Sequence, residues 1–197
     1  MFLSKAELSR MNFNHLGKNV KISNRASLYQ TENMSISDNS RIDDFCVLSG
    51  RINIGKNVHI TTHCSIAAAQ QQILISDFVG IAWGTTIFSS MDDFSGESMT
   101  NPTIPIEFRG VTHAEVVLNR HVIIGANSVV FPGVEIAEGC AIGSMTLVTK
   151  STEPWGIYVG VPARRLRDRS QNLIGLEEEY QNGLTKPPSM QVNQNVN

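Results

Sequence analysis

Two adjacent carboxylates, Asp92 and Asp93, open the longest irregular stretch of this chain. A carboxylate there can hydrogen-bond an attacking group or accept its proton. Being neighbours, at most one of them faces a common site, which leaves the other to anchor the segment. The plainer alternative is that both only begin a turn. A second group is cationic: Lys150 and then Arg164, Arg165, Arg167 and Arg169. Such cations suit a phosphate, or else form a solvated basic tail. Among five histidines, His15 and His121 read as structural, and His59 ends its repeat with an outward side chain. His113 and Glu107 lie late in the irregular stretch, from which either could swing into a neighbour's site. Cys46, Cys64 and Cys140 lack metal-ligand spacing and each follows an Ile by four residues. They read as small core fillers, and no metal is expected.

The elements that must position these groups follow from a six-residue period. Leu16, Ile22 and Leu28, then Ile36, Ile42, Leu48, Ile54, Ile60 and Ile66, then Ile75, Ile81 and Ile87 keep it. After the irregular stretch Leu118, Ile124, Val130, Ile136, Ile142 and Val148 resume it. The period is neither helical nor a strand alternation and belongs to a repeat architecture. Each aliphatic points inward on a short strand, and so does a small residue four positions later. Gly or Asn between them suits a corner with positive φ. Three hexads make one triangular coil, and coils stack at about 4.8 Å.

The expected fold is all-β: a parallel β-helix of about six coils (16–33, 36–53, 54–71, 75–92, 118–135, 136–153). Residues 1–15 hold a short capping helix, with Ser4 and Glu7 as its capping box and Leu3 and Leu8 as its staple. Residues 93–117 form an inserted arm within the 16–153 solenoid. Pro154-Trp155 and Gly160-Val161-Pro162 end the coils, with Trp155 either plugging the last one or stacking on a planar ring. A 154–185 extension carries a short helix from Asn172 to Tyr180, and 186–197 reads as a disordered tail.

The bounds are permissive but exclude some classes. The 197 residues suit one domain, and a formal net charge of −2 gives no nucleic-acid footprint. No run of 18 apolar residues predicts a membrane span, and the N-terminus has no signal-peptide core. A cytoplasmic protein is expected.

The period and corner chemistry resemble the left-handed parallel β-helix (hexapeptide-repeat) acyltransferases over roughly residues 16–167. His121-Val122-Ile123-Ile124-Gly125-Ala126, Phe131-Pro132-Gly133-Val134, Leu147-Val148-Thr149-Lys150 and Gly160-Val161-Pro162-Ala163-Arg164 are similar to that family's acetyl-CoA half. Asp92-Asp93-Phe94-Ser95-Gly96, Asn101-Pro102 and Thr149-Lys150-Ser151 look like bacterial O-antigen and capsule sugar acetyltransferases, above all those acting on nucleotide-linked amino sugars. The resemblance implies acetyl-CoA as co-substrate, a nucleotide-sugar acceptor, and a homotrimer with sites between subunits. It implies cofactor contacts at Ala126 and Ser144 along the pantetheine, and at Thr149, Lys150, Arg164 and Arg167 near the nucleotide end. Sugar O-acetyltransferases of this fold carry a histidine 17 residues after the first aliphatic of the coil before the arm; counted from Ile75, this chain has Asp92 there. Asp92 is therefore the expected proton acceptor. His63, aligned with an acceptor-binding position, is the second catalytic candidate, with Asp93, His59, Glu107 and His113 as substrate contacts. Aspartate in place of histidine tilts the acceptor toward an amine. The rivals are O-acetylation of a saccharide hydroxyl and a non-catalytic trimeric β-helix scaffold.

Overall fold

In the computed structural model, which describes residues 1–183, the hexads wind into three parallel sheets of very short strands. The first aliphatic of each coil pairs with the first of the next. Leu16 faces Ile36, Ile36 faces Ile54, Ile54 faces Ile75, Ile75 faces Leu118 and Leu118 faces Ile136. The ladder keeps its register across all three insertions, so the arm leaves from a corner without disturbing the stack. All of the periodic aliphatics are buried except Leu16 and Leu28, which lie half-buried in the first coil against the same core. Full burial contributes about 1.5–3 kcal/mol per side chain, and this continuous column is what holds the coils together.

The inward positions four residues later are small, for a reason beyond volume. Ser40, Cys46, Cys64, Thr85, Ser128, Cys140 and Thr146 are all buried. Most of these donate to a carbonyl one coil further on: Ser40 Oγ to Gly55 O at 2.7 Å, Cys46 Sγ to Thr61 O at 2.9 Å, Ser128 Oγ to Gly143 O at 2.9 Å. Corner carbonyls lie outside the strand ladders, and a buried one without a partner is costly. A short side chain with a donor satisfies it from inside the prism. The cysteines are thus fillers, as their spacing suggests, and also coil-to-coil ties.

Positive φ marks the corners. The first corner carries Asn19, Asn39, Asn57, Phe78, His121, Gly139 and Trp155; the second carries Phe45, His63, Gly84, Asn127 and Met145. Asn tolerates this region, whereas bulky residues there are strained. The bulky ones recover energy by stacking down the column: Phe45 on His63 at 5.0 Å between ring centroids, and Phe78 on His121 at 5.3 Å. Trp155 packs on Gly139, where an added Cβ would come within 2.4 Å of the indole. Trp155 thereby continues the first-corner column over Gly139.

Both ends are closed. Helix α1, Lys5–Arg10, has the Ser4–Glu7 capping box and buries Leu8 at the open first coil. At the other end the coils do not stop at Pro154. Gly156–Val159 adds a further parallel strand to the second sheet, with Tyr158 opposite Ile142. Arg164–Asp168 then turns back antiparallel on it. Antiparallel pairing ends the stack because the last strand offers no corner from which another coil could start. Helix α2, Asn172–Gln181, runs back along the first corner. It is tied down by Glu177, which is buried against His121 (2.6 Å) and Arg120. The tail expected at 186–197, and the end of the 154–185 extension, lie outside the described residues.

Candidate active site

The arm starts as a two-stranded antiparallel ribbon at the third corner. Ser90–Asp92 pairs with Val111–His113, Ser90 opposite His113 and Asp92 opposite Val111. Opposed residues of such a ribbon project to the same side, as do residues two apart. Ser90, Asp92, Val111 and His113 therefore share one face, with Asp92 and His113 diagonal neighbours. That face forms one wall of a cleft of about 520 Å³, whose other lining includes Gln30, Ala68, Ala69, Gln70, Pro102 and Arg109. Ser89 fixes the opposite wall: its Oγ accepts from the Ala69 amide (3.0 Å) and donates to Gln71 O (2.7 Å). The volume is that of a small-molecule site. Asp92 makes neither an ion pair nor a side-chain hydrogen bond among the described residues, so its carboxylate is free for a ligand.

Asp93 points the other way and is used up by the arm. Its Oδ1 accepts from the Ser95 hydroxyl (2.7 Å) and amide (2.8 Å), and its Oδ2 from the Ser98 amide (2.9 Å). The Ser95 hydroxyl, then the Ser95 and Ser98 amides, hold its carboxyl below the usual carboxylate range. Gly110 fits between Asp93 and Ser98, where a Cβ would come within 2.6 Å of Ser98 Oγ. Asp93 thus anchors the arm, the role one of the two carboxylates was expected to take, with three of its acceptor sites used within the arm.

The other candidates divide. His113 joins Asp92 in the cleft. His63 is exposed at the second corner, on a different edge of the prism from Asp92, so one chain alone does not bring the two together. His59 lies on the outer face of the second sheet, bonded through Nε2 to Asp43 at 2.8 Å. Burial pushes Asp43 up, but Arg41 and His59 outweigh it and hold the carboxyl below its usual range. His59 therefore belongs to a surface ion-pair cluster, not to the cleft. Glu107 sits in an exposed single turn, Ile106–Phe108, away from the cleft lining.

Ala126 and Ser144 stand one coil apart at the tip of the second corner, half-buried and exposed respectively. Beside them the Gly160–Ala163 turn leans onto the third sheet, bonding Leu147 from both sides: Leu147 N donates to Gly160 O and Ala163 N donates to Leu147 O. This brings Arg164 next to the Ser144 corner. Thr149 and Lys150 lie beyond Leu147 toward the third corner, exposed. Arg167 pairs opposite Ile157, further along the second sheet. The cofactor candidates thus line the C-terminal end of the solenoid rather than a single spot. Arg165 and Arg169 are structural instead: Arg165 binds Asp168 (2.8 Å), and Arg169 donates to the carbonyls of His121, Gly139 and Cys140. Among the described residues no cluster of three metal-ligating side chains occurs.

Stacked hexads with a cleft-lining arm and a small-residue edge define an acyltransferase of the hexapeptide-repeat class, built on a left-handed parallel β-helix. No family model matches the chain. It is 40% identical over 182 residues to the dTDP-4-amino-4,6-dideoxy-D-glucose acyltransferase of Escherichia coli, covering 91% of this chain and 94% of that one. AntD, an N-acyltransferase from Bacillus cereus solved with dTDP and 3-hydroxybutyryl-CoA, is 42% identical, with a TM-score of 0.90 over 92% of this chain and 97% of that one. An AntD variant solved with dTDP-4-amino-4,6-dideoxyglucose and coenzyme A gives a TM-score of 0.91 at 42% identity, over 93% and 98% of the two chains. A hexapeptide-repeat acetyltransferase from Vibrio cholerae, 22% identical with a TM-score of 0.56 over 86% of this chain and 83% of that one, shares the fold alone. The chain belongs to the dTDP-4-amino-4,6-dideoxyglucose acyltransferase family.

Proposed function

We propose that this protein transfers a short acyl group, acetyl or a close homologue, from coenzyme A to the amine of a nucleotide-linked deoxyamino sugar. The observation that carries the reading is Asp92: a carboxylate with no partner among the described residues, on the wall of a ligand-sized cleft, in a chain of this family. A neutral sugar amine attacks the thioester carbonyl, the N–C bond forms, and the C–S bond breaks. The surplus amine proton passes to the Asp92 carboxylate and from there to the departing thiolate. Orienting the two substrates supplies much of the acceleration. The ordinary assay is release of free thiol with a panel of nucleotide-linked amino sugars. No release with any of them, together with no binding of acyl-CoA, would leave only a scaffold role.

The arrangement of the two half-sites supports assembly into a trimer. The edge bearing Ser144 and Ala126 continues, one coil nearer the N-terminus, to Trp83. That coil is the one from which the arm departs, but the arm leaves from a different corner. A thioester laid along the second corner thus ends level with an Asp92 it cannot reach in its own chain. A neighbour rotated about a threefold axis brings its third corner to that edge, and such a head-to-tail contact closes into a ring. The exposed apolar side chains on this corner, Phe45, Trp83 and Met145, are what such a contact would cover. Sedimentation equilibrium is expected to give three times the 21.7 kDa chain mass; a concentration-independent monomer would remove the shared site.

Ser144→Trp tests the cofactor path. A bulky indole at the tip of the second corner is expected to raise KM for acyl-CoA by about tenfold or more, the equivalent of a clash of about 1.4 kcal/mol. Mass and melting temperature are measured alongside, because Ser144 adjoins Met145 on the corner a neighbour would cover; a trimeric mass with a raised KM assigns the loss to the blocked path. Unchanged KM would move the pantetheine off this edge.

Both substrates are cytosolic metabolites, so we place the reaction in the cytoplasm, and its product in the supply of sugars for O-antigen-type surface polysaccharide. Among the described residues no helix is long and apolar enough to cross a membrane.

A further inference from the structure

Among the described residues, two buried side-chain nitrogens or oxygens lack a hydrogen-bond partner: Arg109 Nε and His113 Nδ1. Both belong to residues lining the Asp92 cleft. Leaving a buried polar atom unpaired costs about 1–3 kcal/mol, more when the group is charged. Neither side chain is used by the protein through these atoms, and the Arg109 guanidinium makes no hydrogen bond or ion pair among the described residues, while only its Nε is buried, so its other nitrogens remain for a ligand in the cleft.

Arg109 narrows what that is. A guanidinium only donates, so its partner must be an acceptor, and the strongest match to its planar fork is a phosphate or carboxylate. Asp92 lines the same cleft, yet no ion pair joins them among the described residues. The cleft therefore presents a separate cation and anion. Arg109 is also held in place. Its amide donates to Ile106 O (3.1 Å), the Phe108 carbonyl before it accepts from the Met99 amide (2.9 Å), and Gly110 after it is pressed against Ser98 and Asp93. The turn that consumes Asp93 thus serves to set the Arg109 backbone at the cleft mouth. A fixed backbone limits where the guanidinium can reach, which lowers part of the ordering cost of binding.

We infer that Arg109 is the clamp for the diphosphate of the acceptor, binding it while Asp92 addresses the sugar amine. This rests on the reading of the Asp92 cleft as the acceptor site and goes beyond it by assigning the group that selects a nucleotide-linked sugar over a free one. The chemistry of such a compound fits: the pyranose carries its diphosphate at the anomeric carbon and its amine across the ring, so one molecule offers an anion to Arg109 and a nitrogen to Asp92. Specificity for the activated sugar then comes from a charge contact remote from the reacting atom, whose binding energy serves to orient the amine.

The test compares Arg109→Gln and Arg109→Lys with the unmodified protein in three measurements. Calorimetric titration with dTDP alone should show about a 10–100-fold weaker affinity for Arg109→Gln, the loss expected of one charged hydrogen-bond pair. Arg109→Lys, which keeps the charge but loses the fork, should fall between. In steady-state kinetics, KM for the nucleotide-linked amino sugar should rise by a similar factor with kcat and KM for acyl-CoA little changed. With the phosphate-free methyl glycoside of the same amino sugar, unmodified protein and variants should be equally slow. Equal losses with both acceptors, or unchanged dTDP affinity, would overturn the assignment of Arg109. The two failures are separable: if only the clamp is wrong, Asp92→Asn still abolishes most turnover while dTDP binding ignores Arg109. If the cleft is not the acceptor site, both substitutions leave turnover and dTDP affinity intact. A matching melting curve for Arg109→Gln excludes a folding effect.

Discussion

Asp92→Asn is expected to lower kcat by about 10²–10⁴-fold, the usual contribution of a positioned general base, with KM for acyl-CoA little changed. Asparagine has the same shape and keeps one acceptor oxygen, but it cannot take the proton that must leave the attacking amine. The substitution should leave the arm folded, because the arm is anchored by Asp93 through Ser95 and Ser98 and not by Asp92. Single-turnover rates of thiol release, measured at saturating acyl-CoA, isolate the chemical step. A loss below tenfold would reduce Asp92 to a group that orients the acceptor. The two histidines then become the alternatives, and they differ geometrically. His113 sits diagonal to Asp92 on the same ribbon face, so His113→Ala would act within one chain. His63 lies at another corner, so it can reach the cleft only across a subunit boundary.

The solenoid was legible because its physics is periodic. One aliphatic per hexad must point inward, the small residue after the corner must fit beside it, and Asn or Gly must turn the chain. Each demand leaves a residue type at a fixed spacing, and the register from Leu16 to Val148 follows those residues through every insertion. Legibility ended where the spacing did. Tyr158 continues the inner column opposite Ile142 but follows it after sixteen residues instead of eighteen. Its strand also comes directly after Pro154 and Trp155, which read as a stop. The return strand Arg164–Asp168 reads in sequence as a basic tail, because its pairing partner is set only by the turn at Gly160–Ala163.

The site divides along the same line. Asp92 was singled out through the family resemblance, whose histidine position, counted from Ile75, falls on it, and it lines the cleft. The split of duties between Asp92 and Asp93 is local geometry: the turn Asp93–Ser98 takes one carboxylate and frees the other. His59 looked available because its partner, Asp43, lies one coil away in sequence and meets it only through the pairing of Arg41 with His59. Arg109 carried no spacing signal at all. The arm has no period, and the guanidinium enters the cleft only because Gly110 lets the two limbs of the arm approach closely. A hint was present in the small residue directly after a lone arginine in an otherwise apolar and polar loop, but nothing in the sequence says which wall it would join.

The second large effect concerns the accepting atom. Replacing the 4-amino group of the acceptor by a hydroxyl is expected to lower kcat/KM by at least about 10²-fold, with dTDP affinity unchanged. A sugar hydroxyl is a very weak acid and a poor nucleophile until a base removes its proton, so its attack depends on a strong positioned base, which contributes about 10²–10⁴-fold. A sugar amine is nucleophilic once neutral. It must only be oriented, and it loses its proton after the bond to carbon has begun to form, when even a carboxylate can accept it. The cleft provides for the second case: a carboxylate with no partner among the described residues, and an imidazole, His113, held diagonal to it on the ribbon. The pH profile carries the same distinction. With the amino sugar, kcat/KM should climb as the acceptor amine deprotonates and then level off, its midpoint tracking the amine of whichever acceptor is used. Changing to an acceptor with a less basic amine should move that midpoint down. A midpoint that stays fixed when the acceptor is changed belongs to the enzyme. In that case, or if hydroxyl and amine acceptors give similar kcat/KM, the proton is being removed before attack by a protein base, and the assignment of the reaction to nitrogen by way of Asp92 fails.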